Sequence, residues 1–305
     1  MIELKGVIPA ITTPFSKDQK LDLDGFCKLI EMVIDDGVHG VVVNGCTGES
    51  WALSDDERAL VFKSAVEQSA GRIPIVAGCG AICAKDAVAK VKQAENVGCD
   101  AVMIQPPWYV LIGMEEVFAY YQEILRATDI PIMLYNIPRR TGINLSIDLV
   151  DRLADEPQVI ALKESSKDWL VLSSMIRKVR DRVGVFAGYA NLLGLAALTE
   201  GAGGYVDSST PVLGKKSLEF YHAAITGDLE TSRRLQARMA KLNEGFFGIG
   251  TFPAGIKAAL ELLGRPGGWP RDPIKPLDDA QRNQIKEVLV SAGLFPPDSV
   301  QITVA

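Results

Sequence analysis

Residues 159–166 read VIALKESS, and the placement of this stretch decides the fold. Val159, Ile160, Ala161 and Leu162 run apolar without alternation, the mark of a strand buried on both faces, as in parallel sheets covered by helices. The strand then ends in Lys163 and Glu164. Electrostatics allows two readings of that ending. The pair forms a structural ion pair, or the lysine offers an amine whose proton affinity desolvation has lowered, freeing a lone pair for chemistry.

Outward from this segment, short Val- and Ile-rich runs recur, each followed by a longer amphipathic stretch, which is the pattern of βα units on a parallel sheet. The expected strands are residues 7–11, 40–45, 74–79, 101–105, 131–136, 159–164, 183–188 and 204–209. Helical patterns lie between them, among them LDGFCKLIEMVIDDG, SDDERALVFKSAVEQSAG and AKDAVAKVKQAENVG, each closing on glycine. Eight such units in about 225 residues fit a closed (β/α)8 TIM barrel of the α/β class better than an open sheet. After the eighth strand the period is helical throughout, so the expected organisation is a barrel over residues 1–225 and a C-terminal helical appendage over 226–305. The cluster Pro266, Gly267, Gly268, Pro270, Pro273 and Pro276 reads as a rigid break inside that appendage.

Composition excludes several function classes. The chain has 305 residues, 48% hydrophobic, with a net charge of −6 and no run of Lys and Arg interleaved with aromatics, which argues against a nucleic-acid partner and for small metabolites. No apolar stretch has the length of a bilayer span, and MIELKGVIPAITTPF lacks the layout of a signal peptide, so a cytoplasmic protein without a membrane partner is expected. Five cysteines, an odd number, suggest reduced thiols; with only His39 and His222 in the chain, no metal site is expected.

In a barrel of this kind, catalytic groups gather at the carboxyl ends of the strands. Polar residues fall there throughout: Thr12 and Thr13, Cys46 to Ser50, Tyr109, Tyr135 with Asn136, Lys163 to Ser166, and Asp207 to Thr210. A desolvated lysine attacking a carbonyl carbon gives an iminium ion, an electron sink that permits carbon–carbon bonds to be made or broken. Each proton step needs a positioned acid or base, which Tyr135 could supply; otherwise its ring is a plug at the barrel mouth. The loop NGCTGES (44–50) presents amides and the Thr47 hydroxyl, suited to a carboxylate, or is a plain strand-to-helix turn with Ser54 and Glu57 forming a capping box. GCGAIC (78–83) stands where a dinucleotide fingerprint would, but Cys83 replaces its third glycine and no acidic residue ends the next strand. An oxidoreductase reading rests on that motif alone, and no cofactor is expected.

With YNIPRRTG (135–142) ending the fifth strand, GCTGES (45–50) after the second, Lys163 ending the sixth and GVIPAITTPF (6–15) at the start, the sequence resembles the dihydrodipicolinate synthase / N-acetylneuraminate lyase family of pyruvate-dependent class I aldolases. Its motifs are most similar to those of dihydrodipicolinate synthases. The resemblance implies that Lys163 forms a Schiff base with a keto acid, that Tyr135 is the central proton-transfer residue, and that Thr47, Gly48 and Val206 bind the keto acid. It implies that Arg140 holds the acidic group of an aldehyde partner, aspartate semialdehyde being the first candidate for a 4-hydroxy-tetrahydrodipicolinate synthase. It also implies that Tyr109 reaches into a neighbouring subunit's site, in a homotetramer built as a dimer of dimers.

Cys46 departs from the family pattern, standing where a threonine hydroxyl links two tyrosines in typical synthases; a thiol is a weaker partner in such a relay. Trp51, Ile82 and Arg58 depart from the side chains that lysine-inhibited synthases carry, which argues against feedback by lysine. Ala190, in GYAN, replaces the aspartate of sialic acid lyases. A catabolic aldolase or dehydratase acting on 2-keto-3-deoxy acids is the alternative activity, and a binding module that has lost catalysis is disfavoured by the presence of Lys163.

Overall fold

The computed structural model describes residues 2–296. Its eight strands are β1 Gly6–Val7, β2 Val41–Val43, β3 Ile75–Gly78, β4 Ala101–Ile104, β5 Ile132–Asn136, β6 Val159–Glu164, β7 Gly184–Ala187 and β8 Gly204–Tyr205. Each falls within or beside its expected segment. All are parallel, in the order β1-β8-β7-β6-β5-β4-β3-β2, and the circle closes through a parallel bridge between Ala10 and Val42. The regular parts of β1 and β8 are shorter than expected, but the two segments continue side by side: Ile8 N donates to Tyr205 O at 3.0 Å and Ala10 N to Asp207 O at 2.7 Å.

Residues alternate between two layers, as the two-residue period of a strand requires. Ile8, Val42, Val76, Met133, Ala161 and Phe186 fill the barrel, whereas Val41, Val43, Ile75, Leu134, Leu162 and Val185 face the helices. Both layers are dry, which is why VIALKE reads as continuously apolar. The phase of β6 is set by a bulge: Ile132 pairs with Val159 but Met133 with Ala161, so Ile160 is an extra residue without a partner on β5.

A helix follows each of the first seven strands and Lys215–Thr226 follows the eighth; helices Leu229–Gly248, Ala254–Leu262 and Asp279–Ser291 then form the appendage, whose residues 297–305 lie outside those described. Gly37 and Gly98 cap their helices in the left-handed conformation, as expected. Helix Asp55–Ser69 differs: Ala70 takes the left-handed cap at φ 48°, one residue before Gly71. Its start carries the full capping box between Ser54 and Glu57. Among the described residues no helix is long and apolar enough to cross a membrane.

Gly204 sits where β1 and β8 meet, and a Cβ there would lie 1.9 Å from the Gly6 carbonyl oxygen. Gly204→Ala should therefore lower unfolding free energy by about 2 kcal/mol or more, at the upper side of ordinary overpacking. Urea denaturation checks it, and an unchanged midpoint would mean that β1 yields freely.

Candidate active site

The pair that ends β6 separates by the strand's own alternation. Lys163 points into the barrel mouth and is 6% exposed, whereas Glu164 turns to the outer layer, accepting from Asn136 Nδ2 at 3.1 Å and from the Ser166 amide at 2.7 Å. Among the described residues Lys163 has no ion-pair partner, so the two residues form no structural pair. Burial lowers the Lys163 pKa to about 8, while the Cys46 thiol and the Asp207 carboxylate nearby oppose that shift. Asp207 is itself buried and holds the hydroxyls of Ser209 at 2.6 Å and Thr210 at 2.7 Å.

Tyr135 is the register partner of Lys163 on β5, and the amine stands 4.4 Å from the centre of its ring. Burial raises the phenol's pKa, and Cys46 and Tyr189 push the same way; the Ser165 hydroxyl and Arg140 favour the phenolate. The Ser165 hydroxyl faces the phenol and is otherwise buried without a hydrogen bond of normal geometry. Gly188 makes room for it, since a Cβ there would lie 1.8 Å from Ser165 Oγ.

The loop after β2 brings Cys46 and Thr47 to the same cavity, which Arg140 and Val206 also line. Two of its residues, Asn44 at φ 54° and Glu49 at φ 53°, take the left-handed conformation without being glycine, and the surroundings hold them there. Asn44 Nδ2 donates to Gly78 O at 2.7 Å and Thr13 Oγ1 to Gly48 O at 2.8 Å. Glu49 is fully buried against Lys257 of the appendage and accepts from the Arg271 amide at 2.9 Å; Lys257 Nζ also donates to Thr13 O at 2.7 Å and Trp269 O at 2.8 Å. A turn that reads as a simple loop is thus tied to a helix about 200 residues downstream in the chain.

The structure therefore brings Lys163, Tyr135, Cys46, Thr47, Arg140 and Val206 together, whereas Gly48 is not among the residues lining the cavity. Tyr109 stands apart from them: its φ is 73° and its side chain is 90% exposed, beside Leu111. Trp51 and Ile82 are exposed, while Arg58 is buried and bonded to Asp55 and to Gln93. Residues that sequence reasoning missed are Asn191, Asn243, Phe247 and Phe252, the last three from the appendage, which close one side of the cavity. For Asn191, Asn243 and Phe247 helical periodicity said only which face is buried, and Phe252 lies in the turn between two helices. Among the described residues no group of three or more His, Cys, Asp or Glu side chains could hold a metal ion, and all five cysteines are free.

The fold is a (β/α)8 barrel with polar side chains gathered at the carboxyl ends of its strands. A model of the dihydrodipicolinate synthetase family matches residues 3–292. The chain belongs to the dihydrodipicolinate synthetase family. It is 37% identical over 289 residues to a protein of Rhizobium meliloti named "Uncharacterized DapA-like lyase", covering 93% of this chain and 94% of that one. It is 35% identical to the 4-hydroxy-tetrahydrodipicolinate synthase of Thermodesulfovibrio yellowstonii, covering 95% of this chain and 99% of the relative. The solved dihydrodipicolinate synthase DapA-2 of Bacillus anthracis superposes with a TM-score of 0.92 at 30% identity, over 95% and 99% of the two chains. CdNal of Clostridium difficile, solved in complex with mannosamine, gives 0.89 at 27%, over 95% and 100%.

Removing one partner of a fully buried ion pair leaves a bare charge in the interior. Lys257→Met should cost about 3–5 kcal/mol, and adding Glu49→Gln should recover a substantial part of it. Denaturation of the single and double variants checks the coupling; additive losses would show that the two side chains act independently.

Proposed function

We propose that the protein is a Schiff-base lyase in which Lys163 condenses with pyruvate or a related 2-keto acid. The observation that carries this reading is the buried amine without an ionic partner, held near pH 8 beside a phenol. Lys163 Nζ attacks the keto carbon to give a carbinolamine, which loses water to become an iminium ion. Loss of a proton from the adjacent carbon gives the enamine, whose carbon attacks an aldehyde while the aldehyde oxygen takes a proton; hydrolysis then returns the amine. Tyr135 moves these protons, with Cys46 as its partner in the relay. Thr47, the amides around Gly48 and the wall at Val206 hold the keto acid, and Arg140 pairs with the acidic group of the aldehyde. This chemistry calls for no metal or cofactor.

Aspartate semialdehyde is the first choice of aldehyde, supported by Arg140 and by the names of relatives such as the Thermodesulfovibrio synthase. The alternative, cleavage or dehydration of a 2-keto-3-deoxy acid, is favoured by one observation: the unsatisfied Ser165 hydroxyl suits a hydroxylated substrate. Tyr109, exposed in the single chain with Leu111, is read as completing a neighbouring subunit's site in a homotetramer, a dimer of dimers. Residues 1–225 are read as the catalytic barrel and 226–305 as the region that walls its pocket.

Borohydride with pyruvate should trap an adduct on Lys163, and Lys163→Ala should trap none. Below pH 8 the amine is protonated, so the trapping rate should rise about tenfold per pH unit up to about pH 8 and flatten above it. Peptide mapping locates the adduct, and a different lysine would overturn the assignment. Turnover of pyruvate with aspartate semialdehyde supports the first substrate; cleavage of a 2-keto-3-deoxy acid without it supports the second.

Tyr135→Phe keeps the ring and removes the hydroxyl. Turnover should fall by about 10² or more, with little change in melting temperature. Undiminished turnover in steady-state kinetics would leave Tyr135 as packing only.

A further inference from the structure

At the rim of the cavity stands positive charge that the keto-acid chemistry does not use. Burial raises the pKa of both the Tyr135 and the Tyr189 phenol, and Arg140 lies near enough to each to oppose that rise. Beyond it Arg139 lies beside Tyr189, also opposing the rise that burial imposes on the phenol, with its guanidinium carbon 5.8 Å from the centre of the Phe247 ring. Lys167 completes the group, its ammonium 4.6 Å from the centre of the Tyr189 ring. Arg139 and Lys167 are near enough that the guanidinium, after partial burial, depresses the lysine's pKa. Among the described residues none of these three cations has a carboxylate within ion-pairing distance, although Asp and Glu outnumber Lys and Arg by 38 to 32 in the chain.

Two further observations point to a ligand. Asn191 lines the same cavity at 5% exposure, and its amide Nδ2 is buried with no hydrogen-bond partner, a donor left dry unless something accepts from it. Lys167 lies at φ 68°, where L side chains are strained. Glycine would relax that turn and remove the ammonium from Tyr189.

We propose that Arg139, Lys167 and Asn191 form a subsite for the acidic group of the second substrate, a carboxylate or a phosphate, where that group stands at the end remote from the reacting carbon. The inference rests on the Schiff-base reading and narrows its substrate class to partners whose far end is anionic. A guanidinium, an ammonium and an amide offer only donors, the set that such an oxygen-rich end accepts from. Arg140, nearer the phenol, remains the contact close to the reacting atoms.

Kinetics with pyruvate and three aldehydes test it: glyceraldehyde with a neutral end, tartronate semialdehyde with a carboxylate, and glyceraldehyde 3-phosphate with a phosphate. One anionic partner should exceed glyceraldehyde by about tenfold or more in kcat/KM, the effect of one charged hydrogen bond, and the advantage should shrink as salt rises. Whichever partner is preferred names the acidic group. In Arg139→Ser/Lys167→Gly the advantage should fall by about tenfold, mainly through KM, while borohydride still traps pyruvate on Lys163. Lys167→Gly relieves the strained turn, so a fall in its melting temperature is not expected to accompany the loss. Calorimetric titration of malonate and 3-phosphoglycerate reads the subsite independently of turnover, with weaker binding expected in the double variant. Equal use of anionic and neutral aldehydes by the unaltered protein, or undiminished anion binding by the double variant, overturns the subsite. A missing pyruvate adduct overturns the Schiff-base reading instead.

Discussion

An amine kept dry without an anion beside it is the constraint around which the rest of this structure is arranged. A buried ammonium next to a carboxylate would stay protonated, because the ion pair compensates for lost hydration. Here the only acidic neighbour in sequence, Glu164, is turned to the other side of the strand, where Asn136 and the Ser166 amide receive it. Asp207 is close enough to pull the Lys163 pKa upward, yet its oxygens are occupied by Ser209 and Thr210. Burial therefore dominates. Tyr135, the register neighbour, supplies a hydroxyl in place of a charge.

The appendage sets the shape of what surrounds that amine. Lys257 and Arg271 grip Glu49 from outside the barrel, and Glu49 anchors the loop that carries Cys46 and Thr47. On the opposite side Phe247 stacks on Phe252, with ring centres 4.5 Å apart, and leans on Tyr189 at 6.4 Å. The appendage, which adds nothing to the sheet, thus fixes both the loop after β2 and a wall of the cavity. A loop with two left-handed non-glycine residues needs such support, since its backbone alone favours other conformations.

Much of this was legible in the sequence because the signals are local. Unbroken apolar runs such as Val159–Leu162 locate strands buried on both sides, and the residues that end them fall on one face of the barrel. The ambiguity at Lys163 and Glu164 was not resolvable locally: both residues end the same strand, and only the alternation of layers around a closed sheet sends one inward and the other outward. The contacts between Glu49 and Lys257 were invisible for a different reason. They join residues about 200 positions apart, and nothing in either segment's periodicity specifies a partner. Ala70 shows the same limit on a small scale, since tertiary packing placed the helix cap one residue before the glycine that propensity favours.

The bulge at Ile160 decides which way Lys163 points as well as where it stands. Were Ile160 paired with Met133 instead of bulged out, every later residue of β6 would change sides, sending Lys163 toward the helices and Glu164 into the mouth. Losing the bulged residue itself would leave Ala161 opposite Met133 and Lys163 opposite Tyr135, whereas a residue added between Ala161 and Lys163 and taken up by the ladder would exchange an amine for a carboxylate at the centre of the barrel. The strand therefore absorbs loss of its bulged residue but not an added residue between the bulge and Lys163.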